Sequence, residues 1–207
     1  MKKVLLSAAL LLLSSNAFGY YSVMNTGDIL PEGKYTLTPE AQFLTDPSGI
    51  NVGTHVEMGL DEGSGLRGDV GVGKTDFYLG GFYKYIPFPD IEGQPAVGFN
   101  AGGIYAADAG MSEFTIRFEP LVSKKFATSF GFLTPYGSIP ISLQHFTKGS
   151  DKNDVAFQVV GGMEIGINQW HGLRLMPEVG INLDNAPSYV SLGAVLDFDE
   201  NGFNVSF

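Results

Sequence analysis

Asn51-Val52-Gly53-Thr54-His55-Val56-Glu57-Met58-Gly59-Leu60 changes character at every residue. Val52, Thr54, Val56, Met58 and Leu60 share one parity, and Asn51, Gly53, His55, Glu57 and Gly59 share the other. The stretch 155–168 repeats the pattern. Val155, Phe157, Val159, Met163, Ile165 and Ile167 stand against Gln158, Gly162, Glu164, Gly166 and Asn168. Successive side chains of a strand point to opposite faces, so a period of two identifies strands with one apolar face and one polar or glycine face.

Working outward from these two segments, the pattern predicts ten long strands over about 33–45, 50–60, 66–74, 77–87, 95–107, 113–123, 131–146, 155–168, 173–183 and 189–198. The breaks between them carry turn residues, as in Asp46-Pro47-Ser48-Gly49, Asp61-Glu62-Gly63-Ser64-Gly65 and Asp184-Asn185-Ala186-Pro187-Ser188. Most segments are near the length that a tilted strand needs to cross a bilayer. No helical period competes.

Alternation alone leaves open which face points inward. A soluble lipocalin-like barrel puts its apolar face inside, and a membrane barrel reverses this. The polar face carries Gly53, Gly71, Gly80, Gly102, Gly162, Gly166, Gly180 and Gly193. A solvated exterior would carry long Lys, Glu and Gln there, whereas small residues suit a crowded lumen. The same face holds opposite charges that can pair across a lumen: Glu40, Glu57, Asp69, Glu119, Glu164, Glu178 and Asp197 against Lys34, Arg67, Lys84, Arg117 and Arg174. The other face, including Val52, Val56, Leu66, Val70, Phe114, Ile116, Val179, Ile181, Val190 and Leu192, reads as lipid-facing. Tyr35, Phe43, Tyr83, Tyr85, Phe88, Phe132 and Tyr189 fall near strand ends, where interfacial girdles sit. The expectation is an all-β, transmembrane, up-and-down antiparallel β-barrel of about ten strands, or twelve if each end contributes one.

Lys2-Lys3, the apolar run Val4–Leu13 and Ala17-Phe18-Gly19 read as a secretory signal peptide over 1–19. Residues 20–32 then form an N-terminal periplasmic segment, and 33–207 the barrel with a C-terminal aromatic tail. Removing Lys2 and Lys3 leaves 10 basic against 22 acidic side chains, a net charge of −12. That balance argues against a nucleic-acid partner. The chain has no cysteine, which excludes thiolate metal sites and thiol chemistry.

The chain closes with Phe203-Asn204-Val205-Ser206-Phe207. With the signal and the hairpin series, this tail resembles the C-terminal signature of Gram-negative outer-membrane β-barrels. The resemblance implies an outer-membrane location, lipid as surroundings, and reading of Phe203, Val205 and Phe207 by the barrel-assembly machinery. Asp199-Glu200-Asn201-Gly202 is a good turn, so the tail is either a short hairpin return or an extension through a bulge.

Motifs for chemistry are weak. Gly68–Thr75 spells the P-loop pattern, but glycine- and aromatic-rich strand follows where a phosphate site needs a helix. Ser142 and His145 could serve a lipid hydrolase only if a bulge brought them to one face. His55 and Glu57 share a face and read as hydrogen-bonding lumen residues. Pro39, Pro120, Pro135, Pro140 and Pro177 lie inside proposed strands, where bulges or rim positions are expected. No metal ligands or cofactor motif emerge. The sequence favours a passive porin-like pore or structural barrel with a charge-paired lumen. An enzyme acting on lipid A, phospholipid or peptide is the first alternative, and a soluble periplasmic binding barrel the second.

Overall fold

The computed structural model describes residues 22–46, 48–108, 110–147 and 152–206. The expected signal peptide and Phe207 of the tail lie outside them. The strands are β1 (Tyr35–Asp46), β2 (Ser48–Asp61), β3 (Ser64–Gly73), β4 (Phe77–Phe88), β5 (Ala96–Asp108), β6 (Met111–Ser123), β7 (Phe126–Thr128), β8 (Gly131–Ser138), β9 (Ile141–Thr147), β10 (Lys152–Ile167), β11 (Leu173–Asp184), β12 (Ser188–Asp199) and β13 (Gly202–Phe203). Each long strand pairs antiparallel with the next, and β12 returns to β1 from Tyr35↔Phe198 to Leu44↔Tyr189. The sheet is therefore a closed barrel.

β8 and β9 are halves of one barrel strand. Against β6 the register runs Phe118↔Ile141 and then Leu121↔Ser138; against β10 it runs Phe157↔Ile141 and then Val160↔Ser138. No residue is gained or lost between the halves. The barrel has ten strands because neither end adds one. The tail turns at Asp199–Gly202 and folds back on β12 as the two-residue β13, stacking Phe203 on Phe198 and Phe198 on Tyr35. It is the hairpin return.

Alternate residues face lipid and lumen. Ile116 is 56% exposed while Arg117 beside it is 1%, and Leu143 is 54% exposed while Ser142 is 2%. Val52, Val70, Leu79, Tyr105, Phe118, Val159, Ile181 and Leu192 continue the outer apolar belt. Inside lie Gln42, Lys84, Arg117, Glu119, Gln158 and Glu178, all fully buried. This inside-out arrangement fits a hydrocarbon exterior and excludes the lipocalin-like alternative. The fold is that of a transmembrane β-barrel.

The five prolines open gaps in the ladder or mark a strand boundary, as Pro140 does between β8 and β9, where the expected strand 131–146 breaks. Pro39, Pro120, Pro135 and Pro177 point outward, and Pro140 points inward. The β1–β12 ladder skips Thr38 and Pro39, and the β10–β11 ladder skips Met176 and Pro177, yet the register is unchanged on either side. Pro120 falls opposite Ile139–Pro140, so two prolines share one gap in the ladder. Clustering them confines the missing donors to one short break. Register shifts occur at Leu44/Asp46, Gly59/Asp61 and Phe157/Gln158, and at Tyr85/Phe88, where Pro87 lies within β4.

Two girdle expectations fail. Tyr189 is buried in the lumen, and Phe132 lies under Lys125, whose Nζ is 4.1 Å from the ring centroid. Tyr189 turns inward because Gly180 opposite leaves space for its ring; a Cβ at Gly180 would come within 2.2 Å of it.

The β4–β5 loop is clamped by Lys124 and Lys125, between β6 and β7. Lys124 Nζ donates to Asp90 Oδ1 at 2.5 Å and to the Ile91 and Gln94 carbonyls at 2.7 and 3.0 Å; Lys125 N donates to Asp90 Oδ2 at 2.6 Å. Burial pushes the Asp90 carboxyl up, but these donors outweigh it and hold the group below the usual carboxylate range. A lowered native pKa means that the clamp contributes fully above the unfolded-state pKa and is lost as pH falls through the native one. Acidifying from about pH 5 to about pH 3 should expose residues 89–95 to limited proteolysis, and Asp90→Asn should do so at neutral pH.

Candidate functional site

The lumen is built from the inward parity of the ten strands. Most of its charges are paired. Glu57 meets Lys84 at 2.7 Å, Arg67 meets Asp69 at 2.8 Å, and Arg117 meets Glu119 at 3.0 Å. Arg174 holds Glu164 and Asp197, each at 2.6 Å. Two of these pairs lie on a single strand, two residues apart, because a period of two stacks i and i+2 on the same face. Pairing offsets the cost of burying each charge, but buried pairs specify geometry more than they add stability.

Glu178 differs from the other lumen acids. Its Oε1 accepts from Val23 N at 2.8 Å and Tyr189 Oη at 2.6 Å; its Oε2 accepts from Met24 N at 2.6 Å and Tyr136 Oη at 2.7 Å. Four neutral donors surround it in place of a cation. The tyrosines reach it because they lie flat over glycines: a Cβ at Gly162 would stand 2.2 Å from Tyr136, as one at Gly180 would from Tyr189. Gly53, Gly71, Gly162, Gly166 and Gly180 of the inner face are thus seats for aromatic rings.

Val23 and Met24 belong to the segment expected to lie apart from the barrel. Instead residues 22–30 run inside it. Ser22, Val23, Met24, Asn25 and Thr26 are all buried. Ser22 Oγ donates to Glu40 at 2.8 Å, and Arg67 donates to the Val23 carbonyl. Asn25 approaches Asn100 at 3.4 Å, Gly27 N donates to Ser123 Oγ at 2.8 Å, and Lys84 Nζ donates to the Asp28 carbonyl at 2.5 Å. These partners sit on β1, β3, β4, β5, β6 and β11, so the segment crosses the lumen and touches most of its wall. Val23 and Met24 complete an apolar layer with Ile86, Leu121, Val160, Met176 and Val195. Met24 has φ +39°, in the left-handed region. That turn brings two successive N–H groups onto one carboxylate, as in an anion-binding nest, at a backbone cost of about 1–2 kcal/mol.

Around the plug lies a second polar node. His55 Nδ1 is 2.8 Å from Asp69 Oδ1, and its Nε2 is 2.9 Å from Glu40 Oε2. Carboxylates only accept, so in this arrangement both ring nitrogens donate. Arg67 grips the same Asp69 through Nε and Nη2, at 2.8 and 2.9 Å. Where β1 starts and β12 ends, a cavity of about 650 Å³ opens beside the plug, lined by Asp28, Ile29, Lys84, Lys125, Glu164 and Arg174 among others.

The lumen charges inferred from alternation, Glu57, Arg67, Asp69, Lys84, Arg117, Glu119, Glu164, Arg174 and Glu178, all face inward. Glu40, placed on the same face by alternation, is buried as well. Sequence reasoning missed Tyr136, the inward position of Tyr189 and the plug itself, whose residues show no periodicity. Of the tail residues, Phe203 is exposed and paired with Phe198, Val205 is half-buried, and Phe207 is outside the described residues. The P-loop pattern spans β3 and its turn, and β4 follows, so no helix is aimed at a phosphate. Ser142 faces the lumen, whereas His145 is on the opposite parity and meets Asn153 at 2.8 Å. They do not form a pair. Among the described residues no group of three potential ligands could hold a metal ion.

No protein-family profile matches the chain, and no curated protein does. Among solved structures it is similar to a de novo designed transmembrane β-barrel, with 13% identity and a TM-score of 0.42 over 83% of this chain and 100% of that one. It is also similar to the N-terminal β-barrel domain of Pseudomonas aeruginosa OprF, with 12% identity and a TM-score of 0.35 over 81% of this chain and 98% of that one.

Glu178 is the group on which the plug depends. Glu178→Ala leaves two backbone N–H groups and two phenols without an acceptor. Urea unfolding in detergent should register a loss of about 3 kcal/mol or more, and Glu178→Gln a smaller one.

Proposed function

We propose that the protein is a small outer-membrane pore of the Gram-negative type, held shut at rest by its own residues 22–30. The observation that carries this reading is the plug: a polar, charge-lined lumen in which the chain's N-terminal segment exchanges hydrogen bonds with six strands. A barrel serving only as a scaffold could fill its interior with apolar side chains. This one surrounds its plug with ionised groups that water would solvate equally well, so withdrawal of the segment leaves a wettable path. An acidic chain with more lumen carboxylates than lumen cations favours passage of cations. The separation of Ser142 and His145 speaks against the hydrolase alternative.

The location is checked by cell fractionation with heat-modifiability. The protein should stay with the outer membrane and shift in gel mobility between unheated and boiled detergent samples. Release with the periplasm would overturn the outer-membrane assignment.

The gate is checked by tethering it. A Cβ at Gly27 would lie 3.0 Å from Ser123 Oγ, close to what a disulfide requires, and 2.3 Å from the Ala96 Cβ. The variant G27C/A96G/S123C therefore places one bridge between plug and wall in a chain that has no other cysteine. In planar bilayers the oxidised variant should remain closed at voltages where the reduced one shows opening events. Equal conductance in both states would sink the gate.

A further inference from the structure

The contacts that hold residues 22–30 are mostly made to backbone. Glu178 takes the N–H groups of Val23 and Met24, Arg67 and Lys84 donate to the carbonyls of Val23 and Asp28, and Ser123 takes the N–H of Gly27. Among the described residues three plug side chains bond the barrel, Ser22 to Glu40 and, weakly, Asn25 to Asn100 and Asp28 to Lys125, the last two at 3.4 Å. A wall that reads backbone tolerates sequence change in what it holds, as in strand addition to a sheet edge. The sequence filter that remains is narrow. Two adjacent apolar residues enter the layer of Ile86, Leu121, Val160, Met176 and Val195. Three residues after the second comes glycine, because any Cβ there meets Ala96.

We propose that the lumen is a docking site for a short peptide segment of the form apolar-apolar-x-x-Gly, filled in cis by residues 23–27 and able to accept the same kind of segment from another polypeptide. The proposal rests on the plug reading. The native occupant is not an ideal ligand: Met24 is held in the left-handed region, where side-chain-bearing residues are strained. That strain weakens the hold on the native occupant, so an incoming segment of the same form can compete with it.

The test uses the full chain with its plug unable to seat, Gly27→Trp, refolded in detergent. The probe is a fluorescein-labelled peptide with the sequence of residues 22–30, followed by anisotropy. It should bind G27W and not the wild type. Replacing the Ser, Asn and Thr of the peptide by Ala should change affinity less than about threefold, whereas N-methylation of the two amides that face Glu178 should weaken it by about tenfold or more. Equal binding of the N-methylated peptide overturns the proposal. So does absence of binding to a chain whose raised conductance shows that the lumen is vacant, and in that case the gate still stands. If G27W does not fold, Met24→Pro, which removes one N–H to Glu178, takes its place. If neither variant conducts, the gate fails, and the docking site stands or falls on whether binding is lost with N-methylation.

Discussion

A sheet in lipid cannot have a free edge, and the pairing of β1 with β12 is what removes it. No water reaches the hydrocarbon to satisfy exposed N–H and C=O groups, so every ladder must close on a neighbour. Ten strands closed in this way leave an interior of limited width, and half of all strand residues point into it. The alternation of the sequence follows from that closure. The outward residues must be apolar for lipid, and the inward ones must be small, paired or hydrogen-bonded. The prolines obey the same constraint. Pro120 and Pro140 share one break, and at this gap, as at Pro39 and Pro177, the register is the same on both sides.

Inside, the problem is reversed: charges are plentiful and water is scarce. Cations on the inner wall are each taken up by carboxylates, often on their own strand. Acids outnumber them, and the surplus needs other donors. His55 supplies one solution by bridging Glu40 and Asp69. The N-terminal segment supplies another by offering two successive N–H groups to Glu178, with Tyr136 and Tyr189 completing its shell. The plug therefore answers an electrostatic need of the wall as well as filling space. That dependence is mutual, since the four N–H and O–H donors would be orphaned without the carboxylate.

How much of this was legible follows from which interactions are local. Strand positions and the inside–outside assignment of Val52, Ile116 or Arg117 depend only on parity, so the sequence carries them directly. The partner of a lumen charge depends on register and shear, which alternation does not encode. Glu178 therefore read as one more member of a charge-paired network, although its partners are backbone and phenols. Tyr189 read as a girdle residue because it stands one residue into its strand, and the seat at Gly180 is visible only once β11 and β12 are aligned. Residues 22–30 were the least legible. They carry no period, and every partner that fixes them is distant in sequence, from Glu40 to Glu178. The glycines of the inner face were a partial signal: they marked a crowded lumen without saying that rings would occupy the space.

The choice of hydrogen bonds over apolar burial to hold the plug has a mechanical consequence. An apolar plug buried in an apolar lumen would resist leaving, because withdrawal would wet both surfaces. Here a water molecule can replace each backbone contact at Glu178, Arg67, Ser123 and Lys84, so the cost of withdrawal is set mainly by the single apolar layer around Val23 and Met24. The left-handed Met24 reduces that cost further, since its strain is released as the segment leaves. The cavity beside Asp28 and Ile29 lies at the end of the barrel from which the segment enters, so water already reaches its foot. The closed barrel thus carries one element whose attachment water can replace, and that element lies across the lumen.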